Sequence, residues 1–255
     1  MWEAAFWGLV GGSALILGAA IGFFAHLPQR LIAGIMAIGS GVLISAVAFD
    51  LMDEAFERGG FGATALGFVG GAAAYTLANI VLSRRGAKHR KRSGSNPDEA
   101  QPEAGTSEQG TDTGLAIAVG ALLDGIPESV VIGTSLLAGG GVGAVTVAAV
   151  FLSNVPEGLS SAAGMKKAGR GPAYIFGVWG GIALASGVAA MLGYAALAGA
   201  SPATVAGVTA VAAGAILAML VDTMIPEATE ATHDYSGLIA VVGFLLAFVL
   251  TKLGG

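Results

Sequence analysis

LLDGIPESVVIG, residues 122–133, lies in one of the most apolar parts of the chain, yet it carries an aspartate, a proline and a glutamate within five residues. Such a run reads as a membrane span only if its acids have partners. An ionised acid at a bilayer centre costs roughly 2.5–3.5 kcal/mol on insertion scales. The stretch also has an echo. FLSNVPEGL (151–159) aligns with LLDGIPESV (122–130) without a gap, setting Asp124 against Ser153, Gly125 against Asn154, Pro127 against Pro156 and Glu128 against Glu157.

The surrounding composition places this pair in oil. Of the 255 residues, 55% are hydrophobic and only 11% charged, against about a quarter charged in ordinary soluble domains. The mean hydropathy is +0.77. Several runs reach the roughly 20 apolar residues that cross a bilayer. The reading is an all-α polytopic membrane protein. The 42 glycines fit it, since small residues let membrane helices approach closely. Cysteine is absent, which excludes disulfides and thiolate metal sites. The first apolar run starts at Trp2 with no basic region before it, and reads as a first span rather than a cleaved leader.

Eight spans are expected, near 4–26, 31–54, 61–82, 114–137, 143–165, 173–197, 203–228 and 236–254. The chain thus divides into 1–82 with three spans, a polar connection at 83–113, and 114–255 with five spans. The connection is rich in Ser, Gly, Pro and Glu with almost nothing to bury, and reads as a disordered loop. Arg30, the cluster Arg84, Arg85, Lys88, Arg90, Lys91 and Arg92, and the group Lys166, Lys167 and Arg170 share one side of this arrangement, leaving Arg58 and Lys252 on the other. The positive-inside rule makes the loop cytoplasmic and both termini external.

Two further alignments point to internal duplication. GLVGGSALILGAA (8–20) matches GVWGGIALASGVA (177–189), and SGVLISAVAFDLMDEAFE (40–57) matches AGAILAMLVDTMIPEATE (213–230), pairing Gly41 with Gly214, Glu54 with Glu227 and Glu57 with Glu230. The matched spans run in opposite directions, as in the inverted repeats of transporters, whose substrate sites lie at the repeat interface near mid-membrane.

The fourth and fifth spans fall between these repeats. Asp124 and Glu128 are four apart and Asn154 and Glu157 three apart, so each pair shares a helix face. Pro127 and Pro156 cannot donate to the carbonyls of Leu123 and Leu152, which frees two more oxygens. If the two helices pack antiparallel through these faces, carboxylates, an amide and carbonyls converge on one point. Facing acids repel unless a proton or cation lies between them. The competing reading is a pair of proline kinks whose protonated acids hydrogen-bond for packing alone.

With its duplicated hydrophobic-Pro-Glu pattern, the chain resembles the ZIP family of zinc and iron transporters, above all in SNVPEGL and AGAILAMLVDTMIPEA. The resemblance extends over nearly the whole chain. It implies eight helices with external termini, inverted repeats flanking helices 4 and 5, and a metal centre on those two helices. It also implies uptake of a divalent cation (zinc, iron or manganese) across the cell membrane by alternating access. Departures from the family pattern are specific. Asp124 stands at the usual histidine, Gly125 at the asparagine and Ser129 at the glycine; Ser153 replaces a common His or Gln; Ala190 and Met191 replace Glu-Pro on the sixth span. The three histidines, His26, His89 and His233, lie at span ends or in the loop.

These departures favour oxygen ligands, which suit harder ions than the imidazole of a zinc site does. The expected metal set is Asp124, Glu128, Asn154 and Glu157, with Ser153 at its rim. Asp222, Glu227, Asp50 and Glu54 form a weaker set along the transport path, most of them reading first as solvated helix-end charges; Asp222 is the one most expected to line the path. The implied partners are divalent cations as substrate and membrane lipid, with room for a homodimer; no nucleic acid is expected, because the basic cluster lacks interleaved aromatics. Two other functions compete. One is a transport-deficient, metal-binding or regulatory relative. The other is an intramembrane enzyme using Asp124 and Asp222, which lacks an evident nucleophile; an enzyme is not expected.

Overall fold

The computed structural model describes residues 1–87, 90, 108–138 and 144–254. Among these, every regular element is helical: α1 (Trp2–Phe24), α2 (Gln29–Ala46), α3 (Met52–Leu82), α4 (Glu108–Ser135), α5 (Ala144–Lys167), α6 (Pro172–Leu197), α7 (Pro202–Met219), α8 (Ile225–Thr232) and α9 (Ser236–Gly254). Single π turns join α2 to α3 (Val47–Leu51) and α7 to α8 (Leu220–Met224), and a third follows α3 (Ser83–Ala87).

Local chemistry sets the boundaries. Pro172 and Pro202 open α6 and α7 at the first helical turn, where a missing N–H is harmless. Ser201 caps α7, its hydroxyl accepting from the Thr204 N–H at 3.2 Å. The end of α5 is a glycine cap: Gly169 takes φ +80°, and the N–H groups of Gly169 and Arg170 return to the carbonyls of Lys166 and Met165. That is the Schellman arrangement, with lysines 166 and 167 beside the negative end of the helix dipole.

Five continuous helical stretches among the described residues are long and apolar enough to cross a membrane: Trp2–Phe24, Gln29–Arg85, Pro172–Leu197, Pro202–Glu230 and Ser236–Leu253. The second is 57 residues long. At 1.5 Å per residue it far exceeds a hydrocarbon core of about 30 Å. Gly60, at φ +69° and ψ 177°, breaks its helical geometry. The second span therefore does not end near 54 as expected; the helix continues to this glycine, where a backbone without Cβ turns at little steric cost. With 28 and 24 residues, α4 and α5 are also of membrane-crossing length.

The expected loop is partly structured. Ser83–Ala87 is a π turn, α4 already begins at Glu108, and Arg90 is 1% exposed. Loop residues 88, 89 and 91–107 lie outside the described residues, as does the side chain of His233.

The bundle is apolar outside, and its largely apolar core also buries carboxylates. Leu238, Val241, Leu245, Val249 and Leu253 on α9, and Leu184, Val188 and Leu192 on α6, are exposed, whereas Asp124, Glu128, Asn154, Glu157 and Glu227 are buried. That inversion suits lipid, which solvates apolar side chains and not carboxylates.

In lipid, close van der Waals packing replaces the hydrophobic drive between helices. The long contacts are α1 with α5 and α6, α2 with α9 and α5, α3 with α7, and α4 with α6 and α7. Glycines set their closeness. Gly18 and Gly22 lie against the backbone of Val155 and Leu159, and Gly158 lies against Leu15. Gly41 meets Ala240 and Phe244 on α9 while Gly243 meets Ile38; Gly214 meets Phe68 and Ala72 on α3 while Gly71 meets Val211. α4 and α5 meet over only a short stretch, each spending most of its surface on other helices.

Gly41→Ala and Gly214→Ala each place a methyl into a neighbouring backbone. Each is expected to destabilise the detergent-solubilised protein by about 1–3 kcal/mol, the usual range for overpacking. Gly177→Ala meets open space and is expected to unfold with the wild type in the same thermal scan.

Candidate functional site

Asp124 sits mid-helix on α4, completely buried, one turn before Glu128. Near it Ser129 donates its hydroxyl to the Gly125 carbonyl at 2.7 Å. A carboxylate in such surroundings needs a cation or several donors. It has both. Arg90 donates from Nε to Oδ2 at 2.8 Å and from Nη2 to Oδ1 at 2.8 Å, a fork-to-fork ion pair. The Tyr75 hydroxyl donates to Oδ1 at 2.6 Å and accepts from Arg90 Nη2 at 2.9 Å.

The same guanidinium reaches α3 again. Its Nη1 donates to Asn79 Oδ1 at 2.9 Å, and the Asn79 amide donates to Asp222 at 3.3 Å. Tyr75 and Asn79 are four apart on α3 and so share a face. From α5, Ser161 donates its hydroxyl to the Arg90 carbonyl at 2.7 Å. One arginine from the interspan connection therefore ties α3, α4 and α5 together. Beside it, Thr76, Asn79, Ser83, Arg84, Asp222 and Thr223 line an open cavity of about 480 Å³.

The other expected ligands are buried in the same bundle. Ser153 returns its hydroxyl to the Val150 carbonyl at 2.9 Å. Asn154 donates its amide to the Gly11 carbonyl on α1 at 3.0 Å, leaving Oδ1 as the atom it can offer a cation. Glu157 is 3% exposed and lies within electrostatic reach of both Arg90 and Tyr75. Glu128 is 1% exposed. Among the described residues, no three His, Cys, Asp or Glu side chains gather closely enough to hold a metal ion. The partners described for Asp124 come from α3 and from Arg90, and Arg90 in turn meets Ser161 of α5 and lies within electrostatic reach of Glu157.

The weaker set is spread over several surroundings. Asp222, the one most expected to line the path, is exposed and lines the open cavity. Glu227, read first as a helix-end charge, is completely buried and accepts from the Ser160 hydroxyl at 2.8 Å. A span end is wet only where no neighbour covers it, and here α2 packs against α8. Asp50 and Glu54 are half-buried at the α2–α3 junction, Glu54 pairing with Arg58 at 3.2 Å.

Sequence reasoning missed Tyr75, Asn79, Ser161 and, above all, Arg90. The Tyr75–Asn79 spacing on an otherwise apolar span was a usable signal, since two polar groups on one face of a membrane helix imply a buried partner. Nothing local distinguishes Arg90 from the five other basic residues of its cluster.

Compared with models of known protein families and with curated proteins, the sequence matches none. Fold and site thus define a class by themselves: an all-helical bundle with several membrane-length apolar helices and an ion pair buried among further carboxylates.

Removing one partner of a buried pair leaves the other charge uncompensated and typically costs about 3–5 kcal/mol, whereas replacing both with apolar groups is often neutral. Asp124→Leu is accordingly expected to lower stability strongly in detergent unfolding titrations. The double replacement Arg90→Met with Asp124→Leu is expected to recover most of that loss; equal losses in both would mean that the pair carries no coupling.

Proposed function

We propose that this chain is a transporter carrying divalent metal cations across the cell membrane toward the cytoplasm, as its resemblance to the ZIP family implies. The observation that carries the reading is the burial of Asp124, Glu128, Glu157 and Glu227 inside a bundle whose outer face is apolar. Carboxylates retained at such depth mark ion pathways, because packing alone is served better by apolar side chains.

The inverted-repeat reading has support of its own. Under the alignment of 40–57 with 213–230, the π turns Val47–Leu51 and Leu220–Met224 fall on matching residues. The glycine contacts correspond as well: Gly41 and Ile38 with α9 parallel Gly214 and Val211 with α3. Contacts of α5 with α1 and α2 likewise parallel those of α4 with α6 and α7. Eight crossings with external termini follow when Gln29–Arg85 counts as two and α4 and α5 as one each. The Lys and Arg distribution then sets Asp222, Arg84 and the cavity between them toward the cytoplasm.

Cation binding falls to Asp124, Glu128, Glu157 and the Asn154 oxygen, with Ser153 beside them and Glu227 and Asp222 nearer the exit. An oxygen-only set favours manganese or iron(II) over zinc. A transport-deficient, metal-regulated relative is the second reading, and the Arg90–Asp124 pair favours it because it neutralises the carboxylate that stands where relatives carry histidine. An enzyme has less support: Asp222 and Asp124 are linked through Asn79 and Arg90 rather than facing one another.

In proteoliposomes enclosing a metal-sensitive dye, the wild type is expected to admit Mn²⁺ faster than Zn²⁺. Glu128→Ala and Glu157→Ala are each expected to slow uptake by about tenfold or more, the loss of roughly 1.4 kcal/mol of cation stabilisation. Wild-type rates in both variants would remove these residues from the path.

A further inference from the structure

We propose that the Arg90 guanidinium is a tethered substitute for the transported cation, so that a metal ion reaches Asp124 only by displacing it. The inference rests on the cation-transport reading and adds to it the residue that controls access and selectivity.

Three observations carry it. First, the occupancy is nearly complete. Arg90 takes both carboxylate oxygens of Asp124 at 2.8 Å, and Tyr75 takes a second position on Oδ1. A metal bound there would lose most of the in-plane lone pairs it needs and would face a cation at contact distance. Second, Arg90 is a turn residue beyond the π turn Ser83–Ala87, and Ser161 donates to its carbonyl. What joins its side chain to Asp124 is charge and hydrogen bonds, which a competing cation can replace. Third, there is somewhere to go. Asn79, which holds Nη1, also lines the open cavity of about 480 Å³ whose wall includes Asp222. A released guanidinium finds the Asp222 carboxylate there.

The consequence is selection by charge. Coulomb attraction to one carboxylate scales with ionic charge, so a divalent ion gains about twice what a monovalent one does. Glu157, already within reach of Arg90, adds to the same preference. Sodium or potassium would have to displace a bidentate, hydrogen-bonded cation while offering the same charge and no directed donors.

The test uses the purified full chain in detergent, with Mn²⁺ as probe and K⁺ as comparison. Removing Arg90 lifts a competitor. Where that competitor holds most of the population, apparent affinity rises by the inverse of the open fraction. Arg90→Gln is expected to bind Mn²⁺ about tenfold or more tightly than the wild type. It should melt lower than the wild type in chelator and recover in Mn²⁺ but not in K⁺. Adding Asp124→Asn should abolish that recovery. Should Arg90→Gln not fold, Arg90→Lys keeps the charge without the fork, and an intermediate gain in affinity is expected.

Mn²⁺ affinity and melting response equal to wild type in both variants would overturn the proposal, even if the wild type transports Mn²⁺ in liposomes. Tight, Asp124-dependent binding in the variants with no flux in any protein would support the tethered cation and remove the transport reading instead.

Discussion

A negative charge cannot remain uncompensated among membrane-length helices, and that constraint at Asp124 organises the centre of this molecule. The guanidinium of Arg90 answers it with a planar fork that matches the carboxylate atom for atom. Tyr75 and Asn79 then fix the plane of the fork from α3, and Ser161 holds the arginine backbone from α5. The pair is worth little as net stabilisation, since desolvating two ions offsets most of their attraction. It joins three helices at one point, because its donors and acceptors come from α3, α4 and α5.

The scaffold holding this network is built from absence of side chains. Gly18, Gly22, Gly41, Gly71, Gly158, Gly214 and Gly243 bring backbones together so closely that a single methyl would collide. Such packing is stiff and leaves the large apolar side chains to face outward on α6 and α9. The polar interior is consequently narrow. It is lined by the residues of α4 and α5, each wrapped by the helices on its own side rather than by the other.

Chemically, the interior is rich in carboxylate, amide and hydroxyl oxygen and poor in nitrogen ligands. Among the described residues, no histidine stands in the interior of a helix of membrane-crossing length. An arginine opposite a carboxylate is compatible with an oxygen-ligand cation site in a way that it would not be with a histidine site, because imidazole offers the guanidinium no charge to pair with. The Asp124 carboxylate and the inward Arg90 are two sides of one electrostatic arrangement.

Much of this was legible in the sequence. The helical, membrane-type class follows from long apolar runs and few charges, which are properties of consecutive residues. The starts of α6 and α7 are written in Pro172 and Pro202. The burial of Asp124, Glu128, Asn154 and Glu157 was legible from their place in apolar runs, and the π turns fall where 40–57 and 213–230 had been aligned. What the sequence left open is who faces whom. Helical periodicity gives a residue's face but not the helix across from it. The sequence offered α5 as a neighbour for Asp124 but did not name Tyr75 on α3 or an arginine read as loop, both of which bond it in the fold. It read Glu227 first as a wet helix end, whereas packing of α2 over α8 buries it. Sequence determines where charge must be compensated; only the fold decides by which partner, because compensation acts through a few ångströms of space and not along the chain.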